Sequence, residues 1–422
     1  MSHIHRQLKL PPYQKKKNHH AHCFEGQFAR TLKMSSSLEY PDLPEGVQPL
    51  ENQVAGHAFQ QGTDNIGLLK NASDGSVLKP AGKLLCGTRE IKFYEEVQAA
   101  TKETDLVTLK GIIPQYMGHL NFPVDGKPVQ FLKLSDLTYG MLEPCIMDVK
   151  IGSQTWDPLA NEEKRKSEES KYQACKKHLG LCIPGFQVYS IANGRVMRYG
   201  KEYGKKLTAV TVKDAFRKFL NAESGLCRQL LIQFLSDLWT IQKWARMQTT
   251  FRLYASSVLL VYDARRLKPM LQHQSKSLNS INSKPSASNS CPSSPTEANS
   301  CTNSPRAGSS SPLQTSPTGT DSGVEPLQQY FKIQRSHSAM HNYEEEMKAM
   351  RDNYILMRDN LVGSYDNKVW ASARMIDFAH VFPAEEDTVD NNYLQGIDSL
   401  VKIFECFLRE CEAENAPKLG VP

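Results

Sequence analysis

The stretch that most constrains this chain is Pro144–Gly152, in which two charges are set into an apolar, β-branched run. Pro144 ends whatever structure precedes it, because its ring fixes φ and removes a backbone donor. The apolar residues that follow have the composition of a buried strand. Asp148 and Lys150 are two positions apart, and alternation along a strand directs both side chains to one face. The stretch therefore predicts a strand that carries an acid and a base on the same face.

Such a pair costs free energy in apolar surroundings unless both groups have partners. One interpretation is an ion pair between Asp148 and Lys150 on a strand at the edge of a sheet. The other is a strand whose charged face opens into a cleft that holds a polyanion and a sugar. Gly152, where the backbone can approach a ligand closely, favours the cleft.

Composition narrows the class of protein. With 40% hydrophobic and 23% charged residues, the chain has an ordinary globular balance. It has no apolar run of about 18 residues, so no membrane span is predicted, and no signal peptide is expected at its start. The ten cysteines form no Cys-x-x-Cys pair, which indicates reduced thiols in the cytosol or nucleus. The net charge of +6 permits an anionic substrate without requiring one.

Two parts of the chain have low-complexity composition. Residues 1–45 are rich in His and Lys and predict a disordered tail, in which Lys15–Lys17 is either a nuclear address or solvated charge. Residues 264–368 are predicted to be a mostly disordered insert rich in Ser and Pro. Its Ser-Pro pairs at 294, 304, 311 and 316 make it a candidate segment for proline-directed phosphorylation and for binding regulatory proteins.

A lysine and a glutamate lie in successive predicted elements, a strand and a helix, near the start of the ordered chain. Residues 66–70 and 77–79 flank an Asp-Gly turn and predict a β-hairpin that ends on Lys79. Thr88 is predicted to cap the next helix, with Glu90 in its first turn, where negative charge is favoured. A strand lysine followed by a helix glutamate is the arrangement by which kinase-like folds hold a lysine against nucleotide phosphates.

A second acid lies where the chain is predicted to return to the core after the insert. Asp377 stands between apolar residues at a strand end, where an unpartnered carboxylate would be costly. It parallels the Asp-Phe-Gly element of kinases, whose Asp holds magnesium. The apolar strand at 253–263 carries paired serines, Ser256 and Ser257, which either support that site or are purely structural.

These motifs together resemble the inositol polyphosphate kinase family, and within it the multikinase branch. Pro144, Asp148, Lys150 and Gly152 stand as its Pro-x-x-x-Asp-x-Lys-x-Gly signature. The other matching motifs follow in family order: Thr88-Arg89-Glu90, Leu134–Leu137, Ser256-Ser257 and Asp377-Phe378-Ala379-His380. The resemblance covers about residues 50–263 and 369–411.

The resemblance implies an α+β fold of two lobes, similar to the protein kinase and ATP-grasp folds, with a small inositol-binding helical segment. The implied N-lobe, which binds nucleotide, spans 46–137. The implied C-lobe spans 138–263 and 369–422, and its segment 158–180 is expected to bind inositol phosphate.

The family's nucleotide-site roles transfer to matching positions here. Lys79 is expected to hold the nucleotide phosphates, with Glu90 as its orienting partner. Asp148 is expected to take the ribose hydroxyls and Asp377 to bind Mg²⁺.

The hinge between the lobes is implied at the Leu134–Leu137 motif. There the backbone of Ser135, Asp136 and Leu137 is expected to read the adenine edge. The family commonly carries Glu-Asp at this point, and this chain departs from it with Ser135-Asp136.

The implied substrate site combines the central strand with the charged residues that follow it. Lys150 is expected beside the transferred phosphate and the acceptor hydroxyl. By composition alone residues 161–179 would be a solvated, ion-paired helix, but the family places substrate-binding lysines there. Lys164 and Lys171, seven apart, are predicted to share one helical face, with Glu168 between them where an acid would repel a polyphosphate. His380 is either a further phosphate contact or a structural histidine.

The implied function is an ATP-dependent kinase that takes soluble inositol trisphosphate to tetrakis- and pentakisphosphate, with ATP and Mg²⁺ as cofactors and phosphatidylinositol bisphosphate as a further candidate substrate. Within the family, the alternatives are a trisphosphate 3-kinase and a hexakisphosphate kinase. Outside it, the alternative is a nuclear scaffold with a kinase-like fold, although a scaffold would be free to lose Lys79, Lys150 or Asp377. The chain is expected to act as a monomer in nucleus and cytoplasm without binding nucleic acid.

Overall fold

The structure, a computed structural model, describes residues 43–56, 65–102, 105–282 and 370–415. The strands β1 to β12 span Val47–Pro49, Leu69–Asn71, Val77–Pro80, Tyr116–Val124, Lys127–Leu134, Pro144–Ile151, Leu181–Tyr189, Val196–Tyr199, Phe251–Leu253, Ser257–Asp263, Ala371–Ile376 and Val381–Pro383. The helices α1 to α9 span Leu84–Ala99, Asp105–Ile112, Glu162–Ser170, Gln173–Leu179, Lys201–Gly204, Val212–Phe219, Arg228–Met247, Ala264–Asn282 and Asn391–Asn415. A 3₁₀ turn occupies Ala222–Ser224.

The strands form two five-stranded antiparallel sheets. The first has the order β1-β2-β3-β5-β4 and encloses a small apolar cluster around Leu69, Leu78 and Phe131. Its β2 and β3 form the predicted hairpin, with Leu69 opposite Leu78. This sheet and α1 bring Lys79 and Glu90 towards the second sheet.

The second sheet has the order β11-β10-β6-β7-β8, and β6 is its central strand. Helix α7 packs against both α9 and β11 behind it. One face of α7 carries a stripe of buried apolar residues, which includes Trp239 and Trp244. Strands β9 and β12 pair separately. The fold is thus the two-lobed α+β arrangement that was expected, and none of the described helices is long and apolar enough to cross a membrane.

Helix α1 begins earlier than the sequence suggested. It starts at Leu84 after Lys83, so Thr88 is not its cap, and Glu90 lies in its second turn. Gly87 permits close packing of this first turn, because a Cβ there would lie 2.1 Å from the carbonyl oxygen of Ala81. Without a side chain, the first turn can pack directly against the chain that leaves β3.

The charged segment after β6 is not one helix. Helix α3 ends at Ser170, Lys171 is extended, and Tyr172 has a left-handed backbone with φ of +55° before α4 begins. Lys164 and Lys171 therefore do not lie on one continuous helical face. The prediction of a shared face was wrong, because the chain breaks between them.

The start of the predicted insert is ordered. Residues 264–282 form α8, so the expectation of disorder from 264 onward was wrong for this stretch. Ala264 and Leu267 are fully buried, and Met270 and Leu271 pack against the main core. The four apolar side chains anchor the helix despite its polar composition. The remainder of the predicted insert, and all but the end of the predicted N-terminal tail, lie outside the described residues.

Candidate active site

A cavity of about 420 Å³ lies between the two sheets. Val77, Lys79 and Leu134 line it from the first sheet, and Asp148 and Asp377 line it from the side of the second. Most of the wall is apolar, and the charged side chains of Lys79, Asp148 and Asp377 lie close together at one end. A cavity of this kind is where a ligand with a flat apolar part and a charged part fits.

Lys79 is held between two carboxylates inside this cavity. Its Nζ lies 2.7 Å from Oε1 of Glu90 and 2.6 Å from Oδ1 of Asp377. Burial would lower the pKa of Lys79, but the charges of Asp377 and Glu90 outweigh burial and raise it above its ordinary value. The ammonium group is thus fixed and charged across the working pH range. Glu90 itself is almost fully buried.

Asp377 has an unusual backbone that the surrounding residues hold in place. Its φ is +65°, in the left-handed region that few residues other than glycine adopt. Ser256 donates its hydroxyl to the carbonyl oxygen of Asp377 at 2.9 Å, and the N–H of Phe378 donates to Glu90 at 2.9 Å. Burial would raise the pKa of the Asp377 carboxyl, but Lys79 and Lys150 outweigh burial and lower it. The carboxylate therefore stays ionised.

Asp148 and Lys150 occupy the central strand and do not pair with each other. Asp148 is opposite Leu259 of the neighbouring strand β10 and opposite Gly185 of the other neighbour, β7. Lys150 instead donates to the carbonyl oxygen of Ala255 at 2.7 Å. The interpretation as an edge-strand ion pair is therefore wrong.

The carboxylate of Asp148 is buried with an unused acceptor. Its Oδ1 has no hydrogen-bond partner at ordinary distance in the described part of the chain, and the nearby hydroxyl of Ser257 has none either. Burial raises the pKa of Asp148 to about 6, with a further contribution from Asp377, while Lys150 opposes the rise. A buried acceptor that lines a cavity and lacks a partner needs a donor from a ligand or water.

The predicted hinge residues lie at the other end of the cavity. Ser135 is bound to the backbone of Gln115 through both its N–H and its hydroxyl, each at 2.9 Å. The carboxylate of Asp136 accepts from Thr138 and pairs with Lys70 at 3.1 Å. Its side chain is therefore used within the protein. The backbone N–H and C=O of Leu137 make no hydrogen bond to any described residue, so they are available to a ligand.

The predicted substrate lysines meet at one glutamate. The Nζ atoms of Lys164 and Lys171 lie 3.0 and 2.8 Å from Oε1 of Glu168. Burial would raise the pKa of Glu168, but the hydrogen bonds from Lys171 and Lys164 outweigh it and lower the pKa to about 2. Glu168 is four positions after Lys164 and three before Lys171, so its carboxylate is within reach of both lysines. The two lysines are brought together, although not by the helical face that their spacing suggested.

His380 is joined to a residue that sequence reasoning did not assign to the site. Its Nδ1 lies 2.5 Å from Oδ2 of Asp157. Asp157 was visible only as an Asp-Pro pair after the central motif. The contact fixes Nδ1 of His380 and leaves Nε2 for a ligand. His380 can therefore have a structural role and also contact a substrate phosphate.

Two further basic residues, Arg89 and Lys176, hold neighbouring segments of the site in place. Arg89 donates to the carbonyl oxygen of Ala379 at 2.7 Å and stacks over Phe382. Lys176 is almost fully buried and donates to the carbonyl oxygen of Glu168 at 2.6 Å. The sequence signalled Arg89 only through its place in the Thr-Arg-Glu motif. Nothing in the sequence distinguished Lys176 from the solvated lysines around it.

Comparison with known proteins identifies the family. A family model described as inositol polyphosphate kinase matches residues 131–405. The inositol polyphosphate multikinase of Rattus norvegicus is 30% identical over 391 residues, which cover 87% of this chain and 94% of the rat protein. The chain belongs to the inositol polyphosphate kinase family. It is therefore an enzyme that transfers phosphate to inositol phosphates.

Other relatives of this kinase match over different lengths. The human inositol polyphosphate multikinase is 29% identical over 86% of this chain and 89% of its own. The human inositol hexakisphosphate kinase 2 is 31% identical, but over only 37% of either chain. A crystal structure of an inositol phosphate multikinase from S. cerevisiae in complex with ADP and Mn²⁺ is similar at 19% identity, with a TM-score of 0.46 over 79% of this chain and 99% of that chain.

Proposed function

We propose that this kinase uses ATP to convert soluble inositol trisphosphate to tetrakis- and pentakisphosphates. The observation that carries the proposal is the composition of the cavity's charged end. There Lys79 is fixed between Glu90 and Asp377, beside a buried oxygen of Asp148 that lacks a partner. A fixed cation suits nucleotide phosphates, and an unused carboxylate oxygen suits sugar hydroxyls.

In the nucleotide-binding part of the site, each side chain or backbone group would have one role. Lys79 would donate to the phosphates while Glu90 holds it in place. The free oxygen of Asp148 would accept from the ribose hydroxyls. The unpaired backbone groups of Leu137 would bind the adenine edge, with Ser135 and Asp136 shaping the hinge rather than contacting the base through their side chains.

Asp377 would hold Mg²⁺ together with the nucleotide phosphates. Within the described residues there is no group of three or more His, Cys, Asp or Glu side chains placed to hold a metal. One carboxylate, that of Asp377, together with the nucleotide phosphates suits Mg²⁺. This ion is usually bound through one or two carboxylates plus substrate phosphates rather than in a cage made by the protein alone. When bound, the ion neutralises charge on the transferred phosphoryl group.

Lys150 would act at the point of transfer. Its Nζ uses one hydrogen bond on the carbonyl of Ala255, which aims the ammonium and leaves its other two N–H groups for ligands. Phosphoryl transfer needs little covalent chemistry from the protein, so positioning and charge stabilisation supply most of the acceleration. Lys164, Lys171 and the free nitrogen of His380 would bind the phosphates that do not react.

Multikinase chemistry is favoured over the alternatives within the family. The rat and human multikinases align over most of both chains, whereas the hexakisphosphate kinase aligns over about a third. A trisphosphate 3-kinase would stop at one added phosphate. The number of phosphates added therefore separates the candidates.

The cellular context is a further part of the proposal. The lysines at 15–17 and the Ser-Pro pairs at 294, 304, 311 and 316 would support action in nucleus and cytoplasm and regulation by partner proteins. We expect the enzyme to act as a monomer. Imaging of a fluorescent fusion before and after substitution of Lys15–Lys17 by alanine tests the nuclear address.

Product analysis tests the function directly. Purified protein is incubated with ATP, Mg²⁺ and a panel of inositol tris-, tetrakis- and hexakisphosphates, and separately with vesicles that contain phosphatidylinositol bisphosphate. We expect tetrakis- and pentakisphosphate from the trisphosphate. If only the hexakisphosphate reacts, to give a pyrophosphorylated product, the enzyme is instead a hexakisphosphate kinase. If no product forms from any substrate, the scaffold alternative is favoured.

A further inference from the structure

Glu168 occupies the place where a substrate phosphate would be expected. Lys164 and Lys171 approach the same oxygen, Oε1, at 3.0 and 2.8 Å. The three side chains together carry a net charge of +1, where the lysines alone would carry +2. The sequence suggested that Glu168 would simply repel a polyphosphate, whereas in the structure it is bonded to both of its neighbours.

Glu168 is anchored from behind as well as from the front. Its Oε2 accepts from the hydroxyl of Thr155 at 3.3 Å, and its carbonyl oxygen accepts from Nζ of Lys176 at 2.6 Å. Lys176 also donates to Thr155 at 3.1 Å, and both are nearly fully buried. The acid is therefore built into the site, and a ligand that reaches the lysines meets it in place.

A fixed carboxylate between two lysines treats a hydroxyl and a phosphate differently. A hydroxyl can donate to the carboxylate and accept from a lysine N–H. A phosphate dianion can only accept, and its negative charge is repelled by the acid at close range. The same geometry thus attracts one substituent of the inositol ring and disfavours the other.

We propose that Glu168 is a specificity-determining residue that weakens binding of inositols carrying a phosphate at the Lys164–Lys171 pair relative to those with a free hydroxyl there. This inference rests on the proposed function, because it places the inositol phosphate at these lysines. A trisphosphate has three free hydroxyls and can present one to Glu168. A pentakisphosphate has one and must usually present a phosphate. The residue therefore favours early substrates and promotes release of the final product.

The test compares affinities in four variants. Inositol trisphosphate and inositol pentakisphosphate are each titrated calorimetrically into Glu168→Gln, Lys164→Ala, Lys171→Ala and the control Glu162→Gln. Glutamine keeps the size of the side chain and one acceptor oxygen, so the lysine positions are largely preserved. Glu162 is on the same helix and pairs at 3.4 Å with Lys166, away from Glu168, so its substitution removes the same charge elsewhere.

We expect Glu168→Gln to tighten pentakisphosphate binding about 5- to 30-fold and trisphosphate binding less than about threefold. Glu162→Gln should change both less than about twofold. If both lysine variants bind the two ligands as wild type does, the substrate site of the proposed function is wrong. If the lysine variants weaken binding but Glu168→Gln matches Glu162→Gln, or tightens both ligands equally, the role of Glu168 is overturned and the proposed function stands.

Discussion

The ammonium of Lys79 lies 2.6 Å from the carboxylate of Asp377, although the two residues are 298 positions apart in the chain. The contact joins β3 of the first sheet to the end of β11 in the second. It joins the two lobes at the charged end of the cavity, together with the contacts of Glu90 with Phe378 and of Arg89 with Ala379. Removing either partner should therefore impair catalysis.

Substitution of Lys79 by alanine tests the nucleotide half of the site. The change leaves the nearly buried Glu90 without its cation, and removes the donor proposed for the nucleotide phosphates. We expect kcat/KM for ATP to fall at least about 10²-fold, in line with loss of a charged group at a phosphoryl-transfer centre. Steady-state kinetics measure this. Lys92→Ala, an exposed lysine on the same helix as Glu90, is the control and should stay within about twofold. Equal activity in the two variants would contradict the assignment of Lys79.

Arg89 should act as a positioning residue for the Asp-Phe-Ala-His turn. It ties α1 to Ala379 and stacks over Phe382, but it does not line the cavity. Arg89→Ala should lower kcat about 3- to 30-fold with a smaller change in KM for ATP, because the turn that carries Asp377 loses a support. Arg89→Lys should restore part of the rate, since it keeps one donor. A purely structural role would show as a lower melting temperature with kcat unchanged.

Asp148 should destabilise the folded enzyme at neutral pH. Its pKa rises from an ordinary 3.8 to about 6 on folding, so the folded state binds the proton more tightly than the unfolded state does. The cost is absent below pH 4, grows as pH rises from about 4 to 6, and is complete above it. Asp148→Asn should therefore be more stable than wild type at pH 8 by on the order of 1–3 kcal/mol, and by less at pH 5.

Urea unfolding of Asp148→Asn and wild type at pH 5 and pH 8 measures this difference. The same variant should bind ATP more weakly, because the amide keeps one acceptor oxygen but loses the negative charge and the second oxygen proposed to accept from the ribose hydroxyls. Asp387→Asn, an exposed site, is the control and should show no pH-dependent difference. A variant less stable than wild type at pH 8 would mean that the buried carboxylate is satisfied in the folded enzyme.

Lys164→Ala and Lys171→Ala should weaken binding of inositol trisphosphate while leaving ATP binding unchanged. Each lysine is proposed to donate a charge-assisted hydrogen bond to a substrate phosphate, worth about ten- to a hundredfold in affinity. Separate titrations of the trisphosphate and of an ATP analogue measure the two effects. If both side chains only solvate the surface, each change should fall within about 0.5 kcal/mol of wild type for binding and stability.

Local patterns predicted the strands and their chemistry well. The apolar, β-branched run predicted strand β6, and the Asp-Gly turn located the β2–β3 hairpin. These inferences succeed because period and turn chemistry are properties of neighbouring residues. The resemblance to the family then joined motifs that lie far apart in sequence.

The parts that failed depend on packing contacts that the sequence pattern does not show. The first turn of α1 packs against Ala81 through Gly87, and α8 is held by burial of Leu267 in the main core. The partner of His380 is Asp157, 223 residues away. Nothing in the local composition around Lys176 distinguishes a buried lysine from a solvated one, because its partners are the hydroxyl of Thr155 and a backbone carbonyl.

We propose that this cavity transfers phosphate from ATP to inositol phosphates through a cation held at Asp377. The turnover of inositol trisphosphate in Asp377→Asn tests this proposal, with Asp387→Asn as the matched control. The amide cannot supply the negative charge that holds the cation, so we expect turnover to fall at least about 10²-fold with the fold retained by circular dichroism, while the control keeps wild-type turnover. Near-normal turnover in Asp377→Asn would contradict the account.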